Sequence, residues 1–344
     1  MKKLKVAVLF GGPSTERVVS IESGKNVIKN LDPDRYDVIP VEIDRTGRWW
    51  MGEVCPSLTE ASHIHEPETH RPATGQVRPR ADLVPREFNG EAIDVAIIAM
   101  HGAYGEDGRL QGFLEMLGIR YTGSNVAASA LAMSKLRSKE VFVARGIPTP
   151  RYLPLHCADV TPKRLDEIAA DLGLPLVVKS DLSGSSIGVF IVHDRPELTR
   201  AVEGCCELSP WLVFEEYCRG TELTCAVLAE PHGGEPLILP PTEIVPAREF
   251  FDYESKYLSG ATQEITPARL SESDTRRAQA TALAAHRALG CRGISRTDMV
   301  LCPDGIRVLE VNTIPGMSPM SLVPRAAAAV GMPFGELLDR LIAL

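Results

Sequence analysis

The sequence predicts a mixed fold: an α/β unit with a parallel, doubly wound sheet, followed by α+β units. Two observations carry this. In the first third, the apolar runs "KVAVLF" (Lys5–Phe10), "YDVIPVEID" (Tyr36–Asp44) and "AIDVAIIAM" (Ala92–Met100) are interrupted by a helical pattern. Strands that are apolar throughout and alternate with helices belong to parallel sheets covered on both faces. Near the end, "GISRTDMVLCPDGIRVLEVN" (Gly293–Asn312) reads as an antiparallel hairpin, because Pro303-Asp304-Gly305 lies between two β-branched runs.

The elements follow in order. Val6–Phe10 is too short for a signal-peptide core and runs straight into Gly11-Gly12-Pro13-Ser14, so it reads as a first strand. Val18, Ile21, Ile28 and Leu31 then share one helical face. Met51–Asn89 is rich in proline, histidine and charge and reads as an insertion of loops and short elements; His63 and His65 within it are solvent-facing polar residues. Gly108–Gly118 is helical, and a long helix is predicted from about Ala127 to Arg145, ended by Gly146–Pro150. "LPLVVKS", "SGSSIGVFIV" and "WLVFEEYC" are strand-like, with a helical segment at Pro196–Glu207. "TELTCAVLAE", "EPLILPPTEIV", a helix over Ser271–Leu289 and the hairpin complete the chain.

Composition bounds the function. The 344 residues suggest two or three domains with ample core. A net charge of −8 argues against non-specific binding to nucleic acid or anionic membranes, and no apolar stretch has the length of a membrane span. Eight cysteines without zinc-like pairs, among them the adjacent Cys205 and Cys206, read as reduced, mostly buried thiols of a cytosolic protein.

The hairpin raises a chemical question. If Cys302 pairs with Ile306 across a three-residue loop, Asp298 lies opposite Glu310 and Arg296 opposite Asn312. Side chains alternate with period two, so all four project to one side. Opposed like charges cost a sheet roughly 0.2–1 kcal/mol, and a cation between them reverses the sign. Hard oxygen donors suit Mg²⁺, which one or two carboxylates usually hold together with substrate phosphates. The alternative is a solvated outer face with unrelated charges.

Other segments are suggestive in combination. Lys179 ends an apolar strand, and "SDLSGSSIG" after it has the glycine, hydroxyls and free N–H groups of a phosphate-holding concavity. It is not a Walker A loop, and no G-x-G-x-x-G follows the first strand, which weakens a dinucleotide-dehydrogenase reading. Alone, this segment is an ordinary strand–turn–strand; beside a metal hairpin it is better explained as a loop over phosphates. Lys135 on its helix is by itself a solvated lysine. "VFEEYC" (Val213–Cys218) is either a core strand or a hinge offering backbone groups to adenine. His101, at the end of the third strand, and Glu16, after the first, fall on the edge where open α/β sheets bind ligands; the plain reading of Glu16 is a helix-start carboxylate.

Together, "GGPSTER", "HGAYGEDG", "YTGS", "MSKLRSK", "VVK…SGSSIGV", "FDYESKY", "SRTDMV" and "EVNTIPGMSPMSLVPRAA" resemble the D-alanine–D-alanine ligase family of ATP-grasp enzymes, in the family's order and over most of the chain. The resemblance implies a Rossmann-like N-terminal domain (1–123), then a two-lobed ATP-grasp fold: a central lobe (124–218) and a C-terminal lobe (219–344). It implies that ATP phosphorylates the carboxylate of one D-alanine and that the amine of a second attacks the acyl phosphate, for cell-wall precursor synthesis. The alternative is the same fold with D-lactate or D-serine as acceptor.

Carried over on the matching positions, Asp298, Glu310 and Asn312 would bind two Mg²⁺ ions, for which Mn²⁺ could substitute. Arg296 and the Gly316 N–H would stabilise the tetrahedral oxyanion. Lys135, Lys179, Ser186 and Lys256 would hold ATP phosphates, Glu215, Glu216, Tyr217 and Cys218 would face adenine, and Glu222 the ribose. Glu16 and His101 would take the first D-alanine, Ser321 and Leu322 the carboxylate of the second. Tyr257 would hydrogen-bond with Ser185 and Glu16 on closure, and its presence favours the dipeptide product. A cytoplasmic homodimer is implied as well. Two positions depart from the family pattern: Ser180 replaces the usual proline, and Thr297 a usual aliphatic residue.

Overall fold

The computed structural model describes residues 2–52, 55–59, 87–88, 91–184, 187–230, 234–246 and 262–344. The first unit comprises β1 (Leu4–Gly11), α1 (Arg17–Asn30), β2 (Tyr36–Ile43), β3 (Trp49–Met51), the single turn α2 (Pro56–Thr59), the short pair β4 (Glu87–Phe88) and β5 (Glu91–Ala92), β6 (Val95–Ile98), α3 (Arg109–Leu117) and β7 (Arg120–Tyr121). Its sheet runs β3-β2-β1-β6-β7, parallel except for β3. Successive residues of β1 and β6 bury to opposite sides: Val6, Val8 and Phe10 with Val95 and Ile97 on one face, Ala7 and Leu9 with Ala96 and Ile98 on the other. This is the two-sided burial that continuous apolar runs require. The predicted strand Ala92–Met100 is interrupted: β5 pairs with β4, and only Val95–Ile98 enters the large sheet.

The predicted long helix is two helices, α4 (Val126–Met133) and α5 (Lys135–Ala144). Ser134 breaks it. Its hydroxyl accepts from the Arg137 N–H as an N-cap and donates to Asp181, whose carboxylate also accepts the Leu136 N–H. Then come β8 (Tyr152–His156), α6 (Pro162–Leu172), β9 (Leu176–Ser180), β10 (Val189–Val192), α7 (Arg195–Cys206) and β11 (Trp211–Glu216), forming an antiparallel sheet in the order β10-β9-β11-β8. The expectation of reduced thiols fails at one pair: Cys157 and Cys206 form a disulfide, joining the turn after β8 to the end of α7 across 49 residues. Cys205, buried beside it, is free.

The last sheet contains β12 (Thr221–Leu228), β13 (Leu237–Ile238), β14 (Thr242–Pro246), β15 (Thr262–Ile265), β16 (Ile294–Cys302) and β17 (Gly305–Asn312), with α8 (Glu272–Ala288) on one face. Two C-terminal helices, α9 (Leu322–Ala329) and α10 (Phe334–Ala343), return to the first sheet. Leu337, Leu338, Leu341 and Ile342 share a core with Val6, Val8, Val95, Ala226 and Leu228. Asp339 accepts from the Tyr36 hydroxyl at 2.7 Å and pairs with Arg35. Residues of the last sheet and of both C-terminal helices thereby share one core with a face of the first sheet.

Candidate active site

The β16–β17 hairpin sets the geometry. Its loop has two residues, since Cys302 pairs with Gly305 and not with Ile306. Left uncorrected, that one-residue difference would turn Glu310 to the core side. The register shifts between Asp298 and Met299, with Leu309 as the extra residue of a β-bulge, and from there Asp298 pairs with Glu310 and Arg296 with Asn312. The expected face-sharing therefore holds by a different route. The Arg296 guanidinium grips Asp298 with two bonds of 2.9 and 2.8 Å, Thr224 of the neighbouring β12 donates to the same carboxylate at 2.8 Å, and Asn312 Nδ2 donates at 3.1 Å. Lys135 Nζ lies 3.7 Å from Glu310.

Two carboxylates and an amide on one strand face are hard donors, too few alone for a six-coordinate ion. Among the described residues no group of three or more His, Cys, Asp or Glu side chains converges. The donor set fits a divalent ion shared with substrate oxygens. The cationic groups of Arg296 and Lys135 compensate the opposed carboxylates in the ligand-free protein.

This face forms one wall of a cavity of about 700 Å³. All the other described candidates line it: Glu16, His101, Lys135, Lys179, Glu215, Glu216, Tyr217, Cys218, Glu222, Gly316, Ser321 and Leu322. Ser185, Ser186, Lys256 and Tyr257 lie outside the described residues.

At the edge of the first sheet, Gly102 (φ +69) and Gly184 press against the Glu16 carboxylate; a Cβ at either would strike it. His101 is buried and fully engaged. Its Nδ1 faces the Ile314 carbonyl at 3.1 Å, so that nitrogen donates, and Nε2 accepts from Ser23 Oγ at 3.0 Å. Burial, aided by Arg296 and opposed by the Ile314 bond, lowers its pKa to about 4. It is a neutral brace between the first sheet and the segment after β17. Glu106, absent from the predicted set, also lines the cavity. It accepts the Gly102 N–H at 2.8 Å, and burial together with nearby Glu16 pushes its pKa up to about 8. Its signal was the carboxylate inside "HGAYGEDG".

Elsewhere on the cavity wall, β9 and β11 hold Lys179 beside Glu215, with Nζ 3.0 Å from the carboxylate. Burial pushes the Glu215 carboxyl up, but Lys139 and Lys179 overcome this and hold it below the ordinary value. The Glu216 side chain instead turns to Arg151 (2.8 Å). Lys139, the second residue missing from the predicted set, stands behind Glu215 at 3.1 Å. Beyond Lys179, Ser180 donates its backbone N–H to Gly188 and its hydroxyl to Ser183 Oγ, at 2.8 and 2.6 Å. A proline there has no N–H, so this departure fastens the root of the glycine segment. Lys135 Nζ donates to the Ser183 carbonyl. Ser321, which also lines the cavity, stands at the N-cap of α9 and bonds Ser318, directly beside Gly316. The start of a helix of this kind favours an anionic group.

Known proteins resemble this chain over its length. Family models described as the D-ala D-ala ligase N-terminus and C-terminus match residues 5–124 and 141–343. A D-alanine--D-alanine ligase from Syntrophobacter fumaroxidans is 43% identical, covering 100% of this chain and 98% of its own. One from Desulforudis audaxviator is 38% identical, covering 99% and 98%. Among solved structures, the D-alanine-D-alanine ligase from Coxiella burnetii superposes with a TM-score of 0.82 at 33% identity, covering 100% of this chain and 94% of its own. VanG D-Ala:D-Ser ligase from Enterococcus faecalis gives 0.83 at 32%, covering 100% and 99%. The chain belongs to the D-alanine–D-alanine ligase family.

Proposed function

We propose that this protein uses ATP to join two D-alanines, releasing ADP and phosphate. The observation that carries the reading is the single face of Arg296, Asp298, Glu310 and Asn312, which lines one cavity together with Lys135, Lys179 and Ser321. The Glu215–Cys218 segment receives adenine, Glu222 the ribose, and Lys135 and Lys179 the phosphates. Asp298, Glu310 and Asn312 would hold Mg²⁺, which would supply charge neutralisation for the phosphoryl transfer. Glu16 takes the ammonium of the first D-alanine, with His101 holding the wall behind it. The carboxylate of that D-alanine attacks the γ-phosphorus, giving an acyl phosphate and ADP. The amine of the second D-alanine, its carboxylate held at Ser321 and Leu322, attacks the acyl carbon. Arg296 and the Gly316 N–H stabilise the oxyanion, which collapses with loss of phosphate.

The same reading divides the chain into 1–123, 124–218 and 219–344 and implies a cytoplasmic homodimer. Among the described residues no helix is long and apolar enough to cross a membrane. A D-serine acceptor is the second reading, favoured by the D-Ala:D-Ser ligase that superposes as closely as the D-alanine ligases do. ADP release and product mass with D-alanine alone, and with added D-serine or D-lactate, at acidic and alkaline pH, test both. Absence of D-alanine-dependent ADP release at saturating Mg²⁺ overturns the first; a dominant mixed product selects the second.

A further inference from the structure

Among the described residues, Lys139 is a fully buried cation that this chemistry leaves unused. It lies one turn beyond Lys135 on α5. Its Nζ is 3.1 Å from Glu215 Oε1, donates to Thr149 Oγ1 at 2.9 Å and lies 5.7 Å from the centre of the Tyr152 ring. Thr149 in turn donates to the Val308 carbonyl at 2.8 Å, so the ammonium is held from two sides. Lys179 Nζ approaches the same carboxylate at 3.0 Å. Among the described residues one buried carboxylate thus serves two ammonium groups, leaving a surplus positive charge where such charges are costly.

We propose that Lys139 is a positioning residue: the resident counter-ion of Glu215, which releases Lys179 to the phosphates of ATP and keeps Glu215 ionised as an acceptor for the amino group of adenine. This rests on the ATP reading above. When Lys179 turns to a phosphate, Glu215 would be buried and unpaired were it not for Lys139. With Lys139 in place, a neutral pair remains and the ligand's negative charge cancels the surplus. A carboxylate held ionised only accepts hydrogen bonds. It welcomes the adenine amine and repels the carbonyl oxygen that guanine carries at that position.

The pH behaviour supports this. Burial chiefly lowers the Lys139 pKa, to about 8; Lys179 adds to the fall, and Glu215 and Cys218 oppose it. Glu215, Lys179, Cys218 and the Tyr152 phenol are the titratable groups facing it. Transfer of the Lys179 charge to phosphate removes one lowering contribution, so nucleotide binding takes up a proton near pH 8.

The test uses the full chain. ATP and GTP are titrated calorimetrically in buffers of different ionisation enthalpy, alongside steady-state kinetics. Lys139→Met is expected to raise KM for ATP roughly ten- to a hundredfold while kcat changes by less than about threefold. It is also expected to shrink the preference for ATP over GTP and to abolish proton uptake near pH 8; Lys139→Arg, which stays protonated at that pH, retains the KM and the preference but also lacks the proton uptake. If Lys139→Met does not fold, the double variant Lys139→Met/Glu215→Gln, which removes both charges, restores folding with the preference still lost. Wild-type KM, nucleotide preference and proton uptake in whichever of these neutral variants folds overturn the inference while leaving the ATP reading intact. Failure of the wild type to bind ATP overturns both.

Discussion

Thr297 offers a sharp test of how this strand divides its chemistry. It lies between Arg296 and Asp298, which face the cavity, and is itself fully buried, paired with Cys225 on one side and Val311 on the other. Its hydroxyl has no hydrogen-bond partner among the described residues. A buried hydroxyl without a partner costs about 1–3 kcal/mol. Thr297→Val replaces that hydroxyl with a methyl group of nearly the same shape and keeps the β-branching that suits a strand. The expected gain is about 1–2 kcal/mol, a rise in Tm of a few degrees. Urea unfolding, with the slope compared as well as the midpoint, measures it. Because residue 297 points away from the cavity, kcat and KM for ATP should match the wild type. A destabilised Thr297→Val would show that the hydroxyl has a partner. A stable variant with altered turnover would show that the odd and even positions of β16 do not separate core from chemistry.

Other expectations follow from the same geometry. Glu310→Gln removes a charge that repels Asp298 and attracts Lys135, so stability should shift by no more than about 1 kcal/mol. ADP release should fall about a thousandfold or more, and near-normal turnover at saturating Mg²⁺ would refute the metal assignment. His101 and His286, buried and with pKa values lowered to about 4 mainly by burial, are neutral in the native protein. Their folded values lie below the unfolded one, so the stability they confer is present above pH 6.5 and lost as pH falls towards 4, by up to about 3 kcal/mol each. A His286→Gln variant should show a shallower acid limb in unfolding midpoints; an unchanged limb would count against it. Opening the Cys157–Cys206 bridge releases a loop spanning 49 residues, worth up to about 4 kcal/mol in the chain-entropy model. Urea unfolding with and without reductant should separate clearly, and coincident curves would contradict a stabilising bridge.

Much of this molecule was legible from its residues because the informative signals are local. Continuous apolar runs gave strands with two covered faces, and alternation along "SRTDMV" and "LEVN" assigned Arg296, Asp298, Glu310 and Asn312 to one side. That assignment held although its turn was one residue too long, since the Leu309 bulge restores the parity that a two-residue turn would have reversed. A bulge depends on what β12 and the core require of the neighbouring strand, and periodicity contains no trace of it. The same holds for the break at Ser134, whose partner Asp181 is 47 residues away, and for the bridge between Cys157 and Cys206. Lys139 and Glu106 look like ordinary surface charges when taken one at a time. Only packing reveals that one is sealed behind Glu215 and the other beside Glu16, because burial and counter-charge are properties of neighbours brought together by folding. The amino-acid order by itself determined which side chains are available and on which face of each strand they stand. The tertiary structure decided which of them meet, and therefore which remain charged.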